Sequence, residues 1–143
     1  MAASISFYDS WIQRLAQAAN LSTDTFTVGL VTSAYTPNAA THTQLSDITN
    51  ELSGSGYSRQ NLSSVTFNNS AGTVTFDAAD TVFTASGGSI VARHAFIFDD
   101  TVLNDPLVAF ILLDTTPANV TVTDGNTLTL QWNALGIFTI AKV

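Results

Sequence analysis

The sequence predicts a mainly β protein, an antiparallel β-sandwich or jelly-roll-like domain with one N-terminal α-helix. Three observations predict it. Charged residues make up only 10% of the chain, against roughly a quarter in an average protein, and Thr, Ser and Asn supply the polarity instead. Thr and Phe are abundant, and β-branched and aromatic side chains fit a pleated, half-buried surface. Beyond Leu21 the hydrophobic period is two, whereas the first twenty residues carry helical spacing.

With 143 residues, the chain has the size of one domain and can bury a core without disulfides. It divides into a helix over 1–20 and a β-sandwich over 21–143. In the helix, Ile5, Tyr8, Ile12, Leu15 and Ala19 fall at spacings of three and four and form one stripe. Phe7 and Trp11 widen it. Ser6 to Asp9 reads as a capping box, and Asn20 as a left-handed stop. The aromatic face is expected to dock on the core or on a neighbouring subunit.

Strand patterns follow. Phe26, Val28 and Leu30 alternate with Thr25, Thr27 and Gly29, as Val74 and Phe76 do with Thr73 and Thr75. Leu128, Leu130 and Trp132 alternate with Thr127, Thr129 and Gln131. Val120 and Val122 are expected to pair with Leu128 and Leu130 in a hairpin across Asp124-Gly125-Asn126. The runs 90–98 and 107–113 are apolar at nearly every position, the pattern of central strands covered on both faces. A last strand is expected over 137–143. The segment 33–57 is irregular, with Gly54-Ser55-Gly56 as a flexible joint. A loop this long is usually functional or ordered by a partner.

Eleven acidic and four basic residues give a formal net charge of -7. Nucleic-acid affinity comes from Lys and Arg displacing counterions. Four scattered bases cannot supply it, nor hold an anionic membrane surface. The first residues lack the basic start and apolar run of a signal peptide, so synthesis in the cytoplasm is expected. No stretch approaches the length of a membrane span. Without cysteine there is no disulfide, thiolate zinc site or cysteine nucleophile.

The search for chemistry gives little. His94 reads as a hydrogen-bonded core histidine and His42 as a solvated loop histidine, with no G-x-S-x-G elbow near either. Asp77 with Asp80, and Asp99 with Asp100, read as turn residues rather than a glycosidase pair. Asp99, Asp100, Asn104 and Asp105 lack the spacing of a calcium loop. Gly54-Ser55-Gly56 is not followed by the Lys and Ser or Thr of a phosphate loop. No catalytic residue, cofactor or metal is expected, and the chain reads as a structural or binding module rather than an enzyme.

Several segments together carry a resemblance. They are Val28-Gly29-Leu30-Val31-Thr32-Ser33-Ala34-Tyr35-Thr36-Pro37-Asn38, Thr41-His42-Thr43 and Asp47-Ile48-Thr49-Asn50-Glu51-Leu52-Ser53-Gly54-Ser55-Gly56-Tyr57. Phe76-Asp77-Ala78-Ala79-Asp80, Ala92-Arg93-His94-Ala95-Phe96-Ile97-Phe98-Asp99-Asp100-Thr101, Asp105-Pro106-Leu107 and Gln131-Trp132-Asn133-Ala134-Leu135-Gly136-Ile137-Phe138 follow in order. The set resembles a family of small virion proteins of tailed bacteriophages. The resemblance implies a β-rich, non-enzymatic head decoration (cement) protein on the outer capsid surface. Its partners would be the major capsid protein and itself, as a homo-oligomer (dimer or trimer). Similar chains are labelled minor tail proteins, so a tail or fibre component touching host glycans is the alternative. An acidic chain also fits the outside of a DNA-filled shell better than the inside. Aromatic content and irregularity make Phe7, Trp11, Tyr35, His42 and Tyr57 the expected contact residues.

Overall fold

The computed structural model describes residues 3–17 and 19–143, with the side chains of residues 16 and 17 left aside. In chain order the elements are β1 (Ser4–Phe7), α1 (Asp9–Gln17), β2 (Phe26–Val31), a 3-10 turn (Leu45–Asp47), β3 (Gln60–Asn61), β4 (Thr66–Ser70) and β5 (Thr73–Asp77). Then come β6 (Thr81–Thr84), β7 (Ile90–Ala92), β8 (His94–Asp99), β9 (Leu107–Leu112), β10 (Val120–Val122), β11 (Thr127–Leu130) and β12 (Phe138–Ala141). The protein is mainly β, its sheets are antiparallel, and α1 is the single α-helix among the described residues.

The central layer is a five-stranded sheet in the order β1-β9-β8-β2-β3. Its middle strand β8 explains the uninterrupted apolar run. Ala95 and Ile97 face the larger core cluster, while Phe96 and Phe98 face a second cluster on the other side. Gly29 of β2 sits opposite Phe96, and the Phe96 ring lies so close that an added Cβ would be 2.2 Å from it. Only glycine leaves room there. The 90–98 run is two strands rather than one. Arg93 breaks it, donating its N–H to Val31 O while its carbonyl accepts from Leu113 N–H, and the chain changes partners at that corner.

The larger core cluster is closed by β5, β12 and a long bent ribbon. Thr81 to Thr84 lie opposite Leu130 to Thr127, and Ile90 to Ala92 opposite Val122 to Val120. The expected β10–β11 hairpin is therefore corrected. Both strands pair with the β6–β7 arm, and Asp124-Gly125-Asn126 is the bend of the second arm. Gly125 N–H bonds Ala85 O and Gly87 N–H bonds Asp124 Oδ1, locking the two bends together.

The start of the chain also differs from expectation. Residues 4–7 form a strand on the free edge of β9, from Ser4↔Leu112 to Phe7↔Ala109. Pairing satisfies the β9 backbone, which a helix beginning at Ile5 would leave open. The helix starts at Asp9 and buries Trp11, with Tyr8 buried just before it, while Ile12 is 60% exposed. The predicted stripe is thus rotated on the helix. Asn20 caps the next turn, its Oδ1 accepting from Ser22 N–H and Oγ. Residues 1, 2 and 18 of the expected helix lie outside the described residues.

The second face of the central sheet is covered by the irregular segment. Tyr35, Leu45 and Ile48 pack with Tyr8, Phe96, Phe98 and Leu107. Backbone bonds pin the cover: Asp9 N–H to Ala39 O, Leu45 N–H to Asp105 O, and Leu107 N–H to Thr43 O. Gly54-Ser55-Gly56 is an ordered turn, with φ of 74, 52 and 74°. Ser86 N–H bonds Ser55 O, which fastens the turn to the ribbon bend.

Candidate interface site

The five expected contact residues do not gather into one exposed patch. Trp11 is wholly buried, edge-on to Phe26 at 5.9 Å and to Phe138 at 6.1 Å. Phe7 is half-buried against the same Phe138 ring at 5.7 Å. These two anchor the helix and β1 to β2 and β12 of their own chain. Helical periodicity marks such aromatics as apolar but does not say whose core they fill.

Tyr35 and His42 belong to a relay under the loop cover. Asn38 N–H donates to His42 Nδ1, so Nδ1 is an acceptor and the Tyr35 hydroxyl donates to it at 2.8 Å. The Tyr8 hydroxyl then donates to Tyr35 at 2.9 Å. This arrangement makes His42 the Nε2–H tautomer. Burial raises both phenols, and for Tyr8 the hydrogen bond to Tyr35 adds to the rise. The relay is a buried polar network in which each hydroxyl has an acceptor. Asp47 braces the same loop, its carboxylate accepting from Thr43 N–H and Gln44 N–H, which hold it below the usual carboxylate range.

Tyr57 occupies a different edge. Its hydroxyl donates to Glu51 Oε1 at 2.7 Å and accepts from Leu30 N–H at 3.0 Å. Arg59 grips both Glu51 oxygens, at 2.8 and 2.7 Å. Burial pushes Glu51 up, but the Arg59 and Tyr57 hydrogen bonds outweigh it and hold Glu51 low. The Arg59 guanidinium also lies over the Phe98 ring, 5.3 Å from its centre. A bidentate, partly buried pair of this kind fixes geometry, here the return of the loop onto β2.

The acidic pairs separate. Asp99 is buried beside Asp24, while Asp100 faces Thr27. Asp80 Oδ1 accepts Trp132 N–H at 3.1 Å, and Asp77 Oδ1 accepts Ala78 N–H. Among the described residues no three His, Asp or Glu side chains gather as metal ligands do. His94 differs from the expected core histidine, because its buried Nδ1 has no hydrogen-bond partner. Burial, then Arg93, lowers its pKa.

Accessible features lie elsewhere. A groove of about 490 Å³ runs between β1, the end of β11 and the 131–137 segment. Ile5, Leu128 and Leu130 give it an apolar wall, and Gln131, Trp132 and Asn133 give it amides and an indole. Among the described residues its lining consists of apolar, hydroxyl, amide and indole side chains, which offer packing and hydrogen bonds. The outer face of the ribbon sets Val82 beside Thr129 and Val91 beside Thr121, and is neutral. The one sequence signal for the groove is Trp132 on the alternating 127–132 pattern. In comparisons with protein-family models, curated proteins and solved structures, no match to this chain was found.

Proposed function

We propose that this protein is a non-enzymatic structural component of a tailed-bacteriophage particle, decorating the outer capsid surface and stabilising it. The observation that carries the reading is where the phage-like sequence blocks fall. Residues 28–38 form β2 and its exit to Tyr35, 92–101 the central strand β8, and 131–138 the groove wall leading into β12. Residues 76–80 end β5 and hold Trp132 through Asp80. The resemblance thus spans one connected framework rather than a single local motif.

Two properties of the molecule support it. Outward strand faces rich in Thr and poor in charge lose little hydration on docking. A net charge of -7 favours the outside of a shell filled with DNA. The partners in this reading are the major capsid protein and other copies of the chain, and binding only the assembled lattice stabilises it by mass action. The chain would be made in the host cytoplasm. Antibody labelling of purified virions, viewed by electron microscopy, tests this. Label over the head is expected. Absence of the protein from washed particles overturns the reading.

The groove favours a second reading, a minor tail or fibre component that touches host glycans. An indole beside two amides suits a sugar ring. Label on the tail, with glycan-array binding lost in Trp132→Ala, would select it.

A further inference from the structure

We propose that two copies of this chain join through the outer edge of β4, antiparallel across a two-fold axis, so that their three-stranded sheets become one continuous sheet. β4 is the outer strand in the order β12-β5-β4 and is exposed at all five positions. An edge strand presents unpaired N–H and C=O groups, and proteins guard such edges with charge, proline, bulges or a covering segment. β4 has none of these guards. No residue from Gln60 to Phe76 is charged or proline, and its pairing with β5 runs unbroken from Thr66↔Asp77 to Ser70↔Thr73. The other edges of the three- and five-stranded sheets differ. β3 is two residues long beside Arg59, β12 runs into Lys142, and β1 is shorter and leads at once into α1.

A second copy is the occupant that fits. An antiparallel edge is its own complement under a two-fold axis. Most of the surface of a chain carrying -7 repels another copy, but this edge is neutral and its nearest carboxylate, Asp77, sits at one end of the hairpin. The Lys142 stem lies over Gly72 at the hairpin tip, 2.8 Å from where a Cβ would stand. Asp77 lies opposite Thr66 at the hairpin base. Antiparallel alignment sets the tip of one copy against the base of the other, so the two Asp77 carboxylates stand at opposite ends of the joint. Parallel alignment would bring like charges together.

Phe67 supplies the apolar contact. It is 43% exposed at the end of the cross-strand row Phe67-Phe76-Phe138, where the last two rings stack at 4.9 Å. With the axis at Asn68, the middle of β4, Phe67 stands opposite Asn69 of the second copy. It is then diagonal to that copy's own Phe67, within reach of an aromatic side chain. Such a contact is small beside the roughly 1,200 Å² of a stable interface. Association is therefore weak in dilute solution and strengthened wherever copies are held close together.

This inference rests on the edge strand and not on the capsid reading, and it is tested on the free protein. The chain has no cysteine, so Asn68→Cys places a single thiol at the axis. Thr139→Cys places one on the same face at the opposite edge. At high protein concentration under mild oxidation, Asn68→Cys is expected to cross-link roughly tenfold faster than Thr139→Cys, as local pre-alignment requires. Thr66→Cys mixed with Ser70→Cys should cross-link faster than either alone. Circular dichroism confirms folding of each variant. In sedimentation, the concentration-dependent rise in mass should disappear in Asn68→Lys, which sets two like charges on the axis. Equal cross-linking rates for Asn68→Cys and Thr139→Cys, or self-association unchanged by Asn68→Lys, overturn the proposal.

Discussion

Asp99 ends β8 wholly buried, with Oδ1 accepting Thr101 N–H at 3.1 Å and Oδ2 facing no donor. Burial pushes its carboxyl up to about 6; the neighbouring Asp24 adds to the rise, while Thr101 N–H and Arg14 oppose it. A proton on Oδ2 would supply the missing donor toward Asp24. The folded value lies above the ordinary 3.8. The folded chain therefore keeps a proton that the unfolded chain releases, and stability falls as pH rises from about 4 to about 6. Asp99→Asn imitates the protonated group. It is expected to raise stability at pH 8 by roughly 3 kcal/mol, given about 1.4 kcal/mol per pKa unit, and to flatten the pH dependence. Melting curves at pH 4.5 and pH 8 check this. An equal loss at both values would mean that Asp99 is held charged by Arg14. In the sequence, Asp99-Asp100 reads as a turn pair, because nothing local reports a partner as distant in the chain as Asp24.

Element by element, the alternating pattern told which side chains face inward but not which strand lies alongside. Asp124-Gly125-Asn126 has strong turn chemistry, yet β10 and β11 pair with β7 and β6 rather than with each other. The true hairpin, β4 to β5, turns through Ala71-Gly72, a pair with weaker turn chemistry in the sequence. Both residues have positive φ, 52° and 85°, the geometry that favours Asn-Gly. Asn69 Oδ1 steadies the turn by accepting Gly72 N–H at 3.2 Å. Alanine in the left-handed region is strained by about 1–2 kcal/mol, and asparagine tolerates it better. Ala71→Asn is expected to stabilise the protein by roughly 1 kcal/mol, read as a higher denaturation midpoint with unchanged slope. A lower midpoint would show that the strain is relieved elsewhere in the turn.

At the scale of the whole molecule, the two core clusters share one sheet, since successive residues of β8 alternate between them. The irregular 33–57 segment needed no outside partner to be ordered; its own chain supplies the sheet face it covers. Trp11 belongs to that interior, its ring joining the helix to β2 and β12 from inside. Trp11→Ala is expected to cost about 3–5 kcal/mol as a cavity and to lower the melting temperature. Ile12→Ala, at an exposed position on the same helix, should leave it nearly unchanged. Cooperativity follows from the shared sheet. In Trp132→Phe the remaining indole, Trp11, reports the larger cluster, while tyrosine near-ultraviolet dichroism reports Tyr8, Tyr35 and Tyr57, the last two within the 33–57 cover. If both clusters stand or fall with β8, the two signals lose amplitude at one denaturant concentration. Earlier loss of the tyrosine signal would make the 33–57 cover a separate unit. In that case the sheet face beneath it could be uncovered without unfolding the domain, and docking of a partner there would have to be weighed against the cover itself.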